Sequence, residues 1–371
     1  MSDGALAASP GDEHDGARFG ALGARLAERE LDALLVTKLV NIRWLTGFTG
    51  SNAAVVAGPG TRRFVTDFRY LTQAAEQLDE RWEREIATDL LARVADGFEA
   101  ETPLRLGFDD DDLSVKLHGK LADALPDSVE LRAAGGVVEA LRAVKDPGEI
   151  DKIRAAARLA DAALRDVLAG GLAGRTEREV ALEIELAIRR RGAEAVSFAP
   201  IVAASAHGAL PHAVPRDVPI PAGTLVVVDW GAQLDGYASD CTRTLATGEL
   251  DPRDRAIYEL VLRAQQAALA AVRPGPTGKE VDAVARAIID DAGHAEHFGH
   301  GLGHGVGLEV HEGPRLSKQG TDVLAAGNIV TVEPGVYVPG AIGVRIEDLV
   351  AVTADGHEVL SGLPKELRIV E

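Results

Sequence analysis

The sequence predicts an α+β protein in two parts: an α/β layer domain over residues 17–143 and a duplicated helix–helix–β-hairpin domain over 144–371, preceded by a disordered tail at 1–16. Three observations predict this. Short apolar runs alternate with helical patterns through the first part, as layered α/β structure requires. A strong helix-opening signal stands at the boundary, in residues 143–150. The pattern that follows then recurs about one hundred residues later, and self-similarity of that kind marks a repeated unit.

Residues 1–16 are polar, acidic and rich in Gly and Ala, a composition that buries too little apolar surface to hold a fold. Strands are expected at 31–36 (LDALLV), 53–58 (AAVVAG), 62–67 (RRFVTD), 105–109 (RLGFD) and 129–133 (VELRA), with helices at 70–80, 89–100 and 113–124. At the boundary Asp146 can cap a helix, Pro147 suits its first turn and Glu149 completes a capping box; the helix then runs to Gly170-Gly171. A second helix opens at Thr176, with Glu179 three residues on, and stops near Gly192. Asp251-Pro252 opens a third that ends before Pro274, and Thr277 with Glu280 opens a fourth that ends at Gly293. Each pair leads to a similar strand: residues 222–231 (AGTLVVVDWG) align with 326–335 (AGNIVTVEPG), the Asp229/Glu333 exchange keeping a carboxylate. Two copies are too few for a solenoid, so the halves are expected to pack about a pseudo-twofold axis.

These strands carry the chemistry. Asp229 lies in LVVVDWG and Asp240 in YASDCTRTLA, with Gln233-Leu234-Asp235-Gly236 as turn residues between them. Bracketing the turn evenly, the two are expected as cross-strand partners on one face, where like charges are destabilising. Glu333 and Glu347 bracket Gly340 and are expected to face each other likewise. Salt bridges to Arg243 and Arg345 are the bland explanation for four acids in apolar strands, since a buried Asp or Glu needs a partner. A pair of divalent cations neutralises all four more simply. Seven of the ten histidines lie between residues 207 and 311, and His304 sits in FGHGLGHGVGLEVHEGP, whose spaced glycines let backbone approach a site closely. One imidazole with four carboxylates suits Mn²⁺, Co²⁺ or Fe²⁺ at least as well as Zn²⁺. Two such ions about 3.5–4 Å apart can hold a bridging hydroxide and polarise a carbonyl, which is the chemistry of hydrolysis. Because His304 stands outside the hairpin symmetry, the two ions are expected to differ in affinity.

Composition bounds the alternatives. Hydrophobic residues make up 46% of the 371, enough for full cores, and with aromatics at 4% the packing falls to Ala, Val and Leu. A net charge of −19 argues against nonspecific binding to nucleic acid or anionic lipid. The single cysteine, Cys241, excludes an intrachain disulfide and a thiolate zinc cluster, and strand alternation turns it away from its neighbour Asp240. No apolar run approaches 18 residues, so no membrane span is expected. The residues before Arg18 have neither a basic n-region nor an apolar h-region, so a cytoplasmic protein is expected.

Taken together, the motifs resemble the M24 metallopeptidase family of pita-bread enzymes, in its aminopeptidase P and Xaa-Pro dipeptidase (prolidase) branch. NIRWLTGFTGSNAAVV and TDFRY are similar to the creatinase-type N-terminal domain. GALPHA, DWGAQLDGYASDCTRT, HGLGHGVGLEVHEGPR, TVEPGVY and GVRIED are similar to the catalytic motifs, in order, so the resemblance covers most of the chain. It implies a creatinase-like N-terminal domain, a pita-bread catalytic domain and a homodimer. It also implies hydrolysis of the bond before proline in di- or oligopeptides, with a water or hydroxide bridging two divalent ions per chain, Mn²⁺ foremost. By this resemblance Asp229, Asp240, His304, Glu333 and Glu347 are the metal ligands, and Glu333 also orients or deprotonates the water. His212 and His311 match histidines that contact substrate or steady the tetrahedral intermediate, and Arg345 matches an arginine that tethers the surroundings of the metals. His300 and Arg315 are expected to bind substrate, Arg315 through a short substrate's carboxylate. The chain departs from the family pattern at Trp230, where Phe is commoner, at Phe68, where Gly is common, and at His207, where Asn is usual and an exposed side chain is expected. A metal-independent creatinase-like hydrolase and a non-catalytic peptide-binding protein are the alternatives on the same fold, and the full set of five ligands argues against both.

Overall fold

The computed structural model describes residues 10–370 and divides into two compact units, Met1–Arg142 and Ala143–Glu371. The first opens on α1 (Pro10–Glu28), so the last residues of the expected tail are helical, while 1–9 lie outside the described residues. There follow β1 (Ala33–Val36), α2 (Leu39–Thr46), β2 (Ala53–Gly58), β3 (Thr61–Thr66), α3 (Leu71–Gln77), β4 (Glu83–Ile86), α4 (Leu90–Ala95), β5 (Leu104–Phe108), α5 (Val115–Ala124), β6 (Val129–Ala133) and α6 (Val137–Arg142). The strands form one sheet ordered β4-β3-β2-β1-β5-β6. It is antiparallel from β1 through β3 and parallel at β3/β4 and β1/β5/β6. The central strand β1 is wholly buried, which is why LDALLV reads as a continuous apolar run. β4 reads EREI and escapes any apolar pattern, because it is an edge strand. Its buried Glu85 is held by Arg63 (Nε–Oε1 2.9 Å) and by Arg93.

In the second unit α7 (Pro147–Leu168) and α8 (Glu177–Arg190) both open on complete capping boxes, Asp146 with Glu149 and Thr176 with Glu179. β7 (Ala195–Val196), β8 (Ile201–Ala204), β9 (Leu225–Trp230), β10 (Ala232–Leu234), β11 (Tyr237–Ala238) and β12 (Cys241–Ala246) follow. α9 (Pro252–Ala271) and α10 (Gly278–Asp291) then repeat the helix pair, with a third capping box from Thr277 and Glu280. β13 (Gly303–Gly305), β14 (Glu312–Leu316), β15 (Ile329–Val332), β16 (Gly335–Val338), β17 (Ile342–Arg345), β18 (Asp348–Val352) and β19 (His357–Val359) complete the chain. Each helix pair packs on its own sheet, β12-β9-β8 or β14-β13-β15-β18-β19. Leu164, Ile184, Val226 and Val228 lie in one core, and Val261, Val281, Val330 and Val350 in the other. Among the described residues no helix is long and apolar enough to cross a membrane.

The duplication reaches the backbone. Gly223 N–H donates to Thr247 (3.0 Å) and Thr247 N–H to Thr224 (2.9 Å); Gly327 and Val352 repeat the pair with Asn328 at 2.9 and 2.8 Å. The bridge between Thr176 and Pro219 is matched by one between Thr277 and Val323.

The register corrects one expectation. Thr242 stands opposite Asp229, and Cys241 opposite Trp230. The same register runs through β10 and β11 to a two-residue turn, Asp235-Gly236, with both residues at positive φ (50° and 78°). The turn therefore sits one residue later than an even bracket of Asp229 and Asp240 requires. Asp240 lies diagonal to Asp229 on the same face rather than opposite it. In the second copy Val332 faces Asp348 and Gly335 faces Arg345, which places Glu333 opposite Glu347 as expected. Position for position, Asp229 corresponds to Glu333, Thr242 to Glu347, and Asp240 to Arg345.

Candidate metal centre

Five side chains converge from both hairpins and β13. Asp229 lies near the end of β9, Asp240 just before β12, His304 in β13, Glu333 just after β15 and Glu347 just before β18. Carboxylate oxygens of Asp229, Asp240 and Glu347 lie within 4.8 Å of one another, all buried. His304 Nε2 stands 3.3 Å from Glu333 Oε1 and 3.6 Å from Asp240 Oδ2. Asp240 thus belongs both to a three-carboxylate set and to a set that includes the imidazole.

The backbone explains the placement. Val228 and Trp230 point into the helix-packed core, so Asp229 points to the opposite face of β9. Gly303 and Gly305 flank His304, where a Cβ would lie 2.0 Å from the Thr331 carbonyl oxygen and 2.1 Å from that of Gly313; only glycine lets β13 fit between its neighbours. His304 N–H donates to Thr331 Oγ1 (3.0 Å), and the Thr331 hydroxyl donates to Glu333 Oε1 (3.1 Å). The imidazole donates from Nδ1 to the Gly305 carbonyl (3.0 Å), which fixes the tautomer and aims Nε2 at the carboxylates.

Electrostatics test whether these residues fit metal ions. Burial pushes the carboxyls of Asp229, Asp240 and Glu347 up, the last two far up, and neighbouring carboxylates add to each shift. Burial alone would raise Glu333 too, but the hydrogen bond and charge of His304, with the charges of His300 and Arg345, together outweigh it and the pKa falls. For His304 burial lowers the pKa, and the bond to Glu333, its charge, the Gly305 carbonyl and Asp229 together reverse this. Asp229 Oδ2 accepts from Arg345 Nη2 (2.6 Å) and Glu347 Oε2 from the Thr242 hydroxyl (2.8 Å), whereas Asp229 Oδ1 and Glu347 Oε1 are buried without a hydrogen bond. Arg243 does not relieve the cluster, because it pairs with Asp348 (2.9 Å) and the Leu363 carbonyl. One guanidinium thus faces four carboxylates. Acids desolvated to this degree require protons or cations. Orphaned oxygens beside one imidazole are a donor set suited to divalent cations, so the residues fit.

The remaining expected residues separate. Arg345 is buried and spends its donors inside the protein: Nε on Thr242 Oγ1 (2.9 Å), Nη1 on Tyr337 Oη (2.9 Å) and the Pro211 carbonyl (3.1 Å), and Nη2 on Asp229. The Tyr337 hydroxyl donates to His300 Nε2 (3.0 Å), and His300 Nδ1 donates to the Gly301 carbonyl (2.7 Å). Burial lowers the pKa of His300 and favours this neutral form. Both ring nitrogens of His300 are engaged by protein atoms, which departs from its expected part in binding substrate, and Arg345 holds Asp229. His212, His311 and Arg315 are exposed, with the His311 ring centroid 4.3 Å from that of His304. His207 is not the exposed residue expected: its side chain is 7% exposed and bound to Glu177. Cys241 packs in the core beside Trp230, away from the carboxylates, as alternation required.

Thr242, Thr331 and Tyr337 are site residues that sequence reasoning passed over. Strand parity carried the signal. Tyr337 shares a face with Glu333, and Thr242 is the partner of Asp229 once the Asp235-Gly236 turn is centred.

Comparison with known proteins follows the same lines. Residues 151–354 match the model of metallopeptidase family M24, and residues 18–144 that of the creatinase/prolidase N-terminal domain. An Xaa-Pro dipeptidase of Pyrococcus horikoshii is 35% identical over 345 residues, 92% of this chain and 95% of the relative. Among solved structures, an Xaa-Pro dipeptidase from Bacillus anthracis is similar with a TM-score of 0.91 and 38% identity, covering 96% of this chain and 99% of that one. An X-Pro aminopeptidase from Thermotoga maritima gives a TM-score of 0.85 and 34% identity, over 92% and 98% of the two chains.

Proposed function

The chain belongs to metallopeptidase family M24, and on that premise we propose that it is a cytoplasmic, homodimeric Xaa-Pro dipeptidase with Asp229, Asp240, His304, Glu333 and Glu347 holding two divalent ions, Mn²⁺ foremost. The observation that carries the metal assignment is the buried carboxylate cluster with two unpaired oxygens, on Asp229 and Glu347. The activity named for the relatives supports the preference for proline.

Bound ions supply Lewis-acid polarisation of a carbonyl and lower the pKa of a water nucleophile. The side chains do the rest. Glu333, kept ionised beside His304, is the general base, and Thr331 fixes the orientation of its carboxylate. Arg345, braced by the Tyr337 hydroxyl, holds Asp229, and Thr242 holds Glu347. His311, whose ring centroid lies 4.3 Å from that of His304, and His212, which follows the Pro211 tied to Arg345, bind the scissile carbonyl and steady the oxyanion that forms from it. Arg315 receives the substrate carboxylate, which in an Xaa-Pro dipeptide is that of proline itself.

The test is hydrolysis of matched Xaa-Pro and Xaa-Pro-Yaa series after reconstitution with Mn²⁺, Co²⁺ or Zn²⁺. Xaa-Pro is expected to turn over fastest with Mn²⁺, and Glu333→Ala to abolish turnover. Preference for Xaa-Pro-Yaa would replace the dipeptidase assignment with an aminopeptidase one, and turnover of neither series with any ion would end it.

A further inference from the structure

We propose that Glu177 is a positioning residue for His212: a single buried carboxylate that fastens both ends of the loop on which His212 stands. This rests on the assignment of His212 to substrate. Glu177 is the first residue of α8, yet the helix is already capped by Thr176 and Glu179. The side chain of Glu177 is 1% exposed and turns outward from the helix to the segment 204–216. Its Oε1 accepts from the Ala204 N–H and its Oε2 from the Arg216 N–H, both at 3.0 Å. The Arg216 guanidinium reaches both oxygens at 3.1 Å, and His207 Nδ1 lies 2.9 Å from Oε2. The two ends of the loop therefore meet on one carboxylate through charge-assisted bonds, which are stronger than neutral ones.

Between those ends the Pro211 carbonyl accepts from Arg345, the residue that holds Asp229. The loop is thus tied at its ends to α8 and at its middle to the metal centre. His212 follows Pro211 directly and is exposed, and its ring makes no hydrogen bond to any described residue. Where the imidazole stands is set by the backbone that carries it, and Glu177 anchors that backbone.

The duplication supplies a control. The residue after the capping threonine of α10 is Gly278, where a Cβ would lie 2.0 Å from the Arg315 carbonyl oxygen. That half holds its own segment by direct backbone packing. A buried glutamate here is therefore no requirement of the repeated helix; it occurs only in the half whose loop bears His212.

The experiment compares the wild type, E177Q, H212A and the double variant in the Mn²⁺-loaded full chain, with kcat and KM on an Xaa-Pro substrate and hydrogen exchange at the amides of 204–216. E177Q is expected to speed exchange at Ala204 and Arg216, to leave the α8 amides unchanged, and to lower kcat/KM by up to about 100-fold, the scale of a misplaced catalytic group. In the H212A background the same substitution is expected to cost less than about threefold, because independent effects multiply and coupled ones do not. R216A, at an exposed position, is expected to show the same pattern with smaller amplitude and serves if E177Q does not fold. Equal fold losses in both backgrounds, or unchanged exchange at Ala204 and Arg216, overturn the proposal. Full activity of H212A overturns the reading of His212 itself, and the exchange data still decide whether Glu177 fastens the loop.

Discussion

Glu347→Gln is expected to make the metal-free protein more stable and the metal-loaded protein less stable. Glu347 lies within 4.8 Å of both Asp229 and Asp240. Two unit charges at that distance and an effective dielectric near 20 repel by about 3.5 kcal/mol. Protonation of Asp240 and Glu347, both pushed far up by burial, relieves part of this, so the expected gain is about 1–3 kcal/mol. The amide keeps an oxygen for the Thr242 hydroxyl, and its nitrogen can donate to Asp229 Oδ1, which has no partner. At about 2–4 °C per kcal/mol for a domain of this size, the variant melts several degrees higher in EDTA. With Mn²⁺ the order reverses. An ion at a hundredfold its Kd stabilises the wild type by about 2.7 kcal/mol, and a variant lacking one anionic ligand loses most of that share. Thermal unfolding followed by circular dichroism, in EDTA and in Mn²⁺, gives both arms. A variant that melts below wild type in EDTA, or that gains the same shift from Mn²⁺, would refute the argument that metal ions compensate this cluster.

Two further outcomes follow from the geometry. Burial pushes the Asp109 carboxyl from 3.8 up to about 6, with the Glu139 charge adding to it, while the amides of Thr37 and Lys38 pull it down. The folded state binds the proton more tightly, so this stabilisation is complete below pH 4 and lost as pH rises to about 6, by at most about 3 kcal/mol. Asp109→Asn retains an acceptor for both amides, so urea unfolding between pH 4 and 7 should show a smaller loss than wild type; parallel curves would contradict it. Secondly, calorimetric titration of metal-free protein with Mn²⁺ should resolve two affinities, and His304→Ala should weaken one step alone. Two indistinguishable sites would count against the unequal donor sets around Asp240.

Much of this centre was legible because its residues break local rules. Acids in LVVVDWG and TVEPG violate the expectation for buried strands, and their recurrence after matching helix pairs exposed the duplication. Glu333 and Glu347 could be paired from the sequence because the second hairpin closes evenly about Gly340. The first hairpin misleads because its two-residue Asp-Gly turn centres one residue beyond the midpoint of Asp229 and Asp240. The motif around His300 does not report where its ring nitrogens spend their bonds. Tyr337 supplies one of those bonds and Thr242 one to Arg345, and an aromatic or a threonine in a strand looks like ordinary packing. His207 was misjudged because its partner, Glu177, is thirty residues away on a helix start, a contact no local pattern contains.

The broken symmetry of the repeat explains how one centre arises from two copies. Strict duplication would place Asp229 and Glu333 alike and leave their hairpin partners alike as well. Instead Thr242 stands where the second copy has Glu347, and Arg345 stands where the first has Asp240. The two exchanged positions bond to one another across the repeat: Arg345 Nε donates to Thr242 Oγ1, and the Thr242 hydroxyl donates to Glu347. Each copy thus gives up one carboxylate position to a residue that orients the other copy's carboxylate. Four identical acids would leave every oxygen competing for cations with no donor to fix its direction. With the exchange, Arg345 occupies one oxygen of Asp229 and Thr242 one oxygen of Glu347, and the remaining oxygen of each is left unpaired in the buried cluster. Divergence between the copies at these two positions turns a repulsive group of acids into an oriented set of donors.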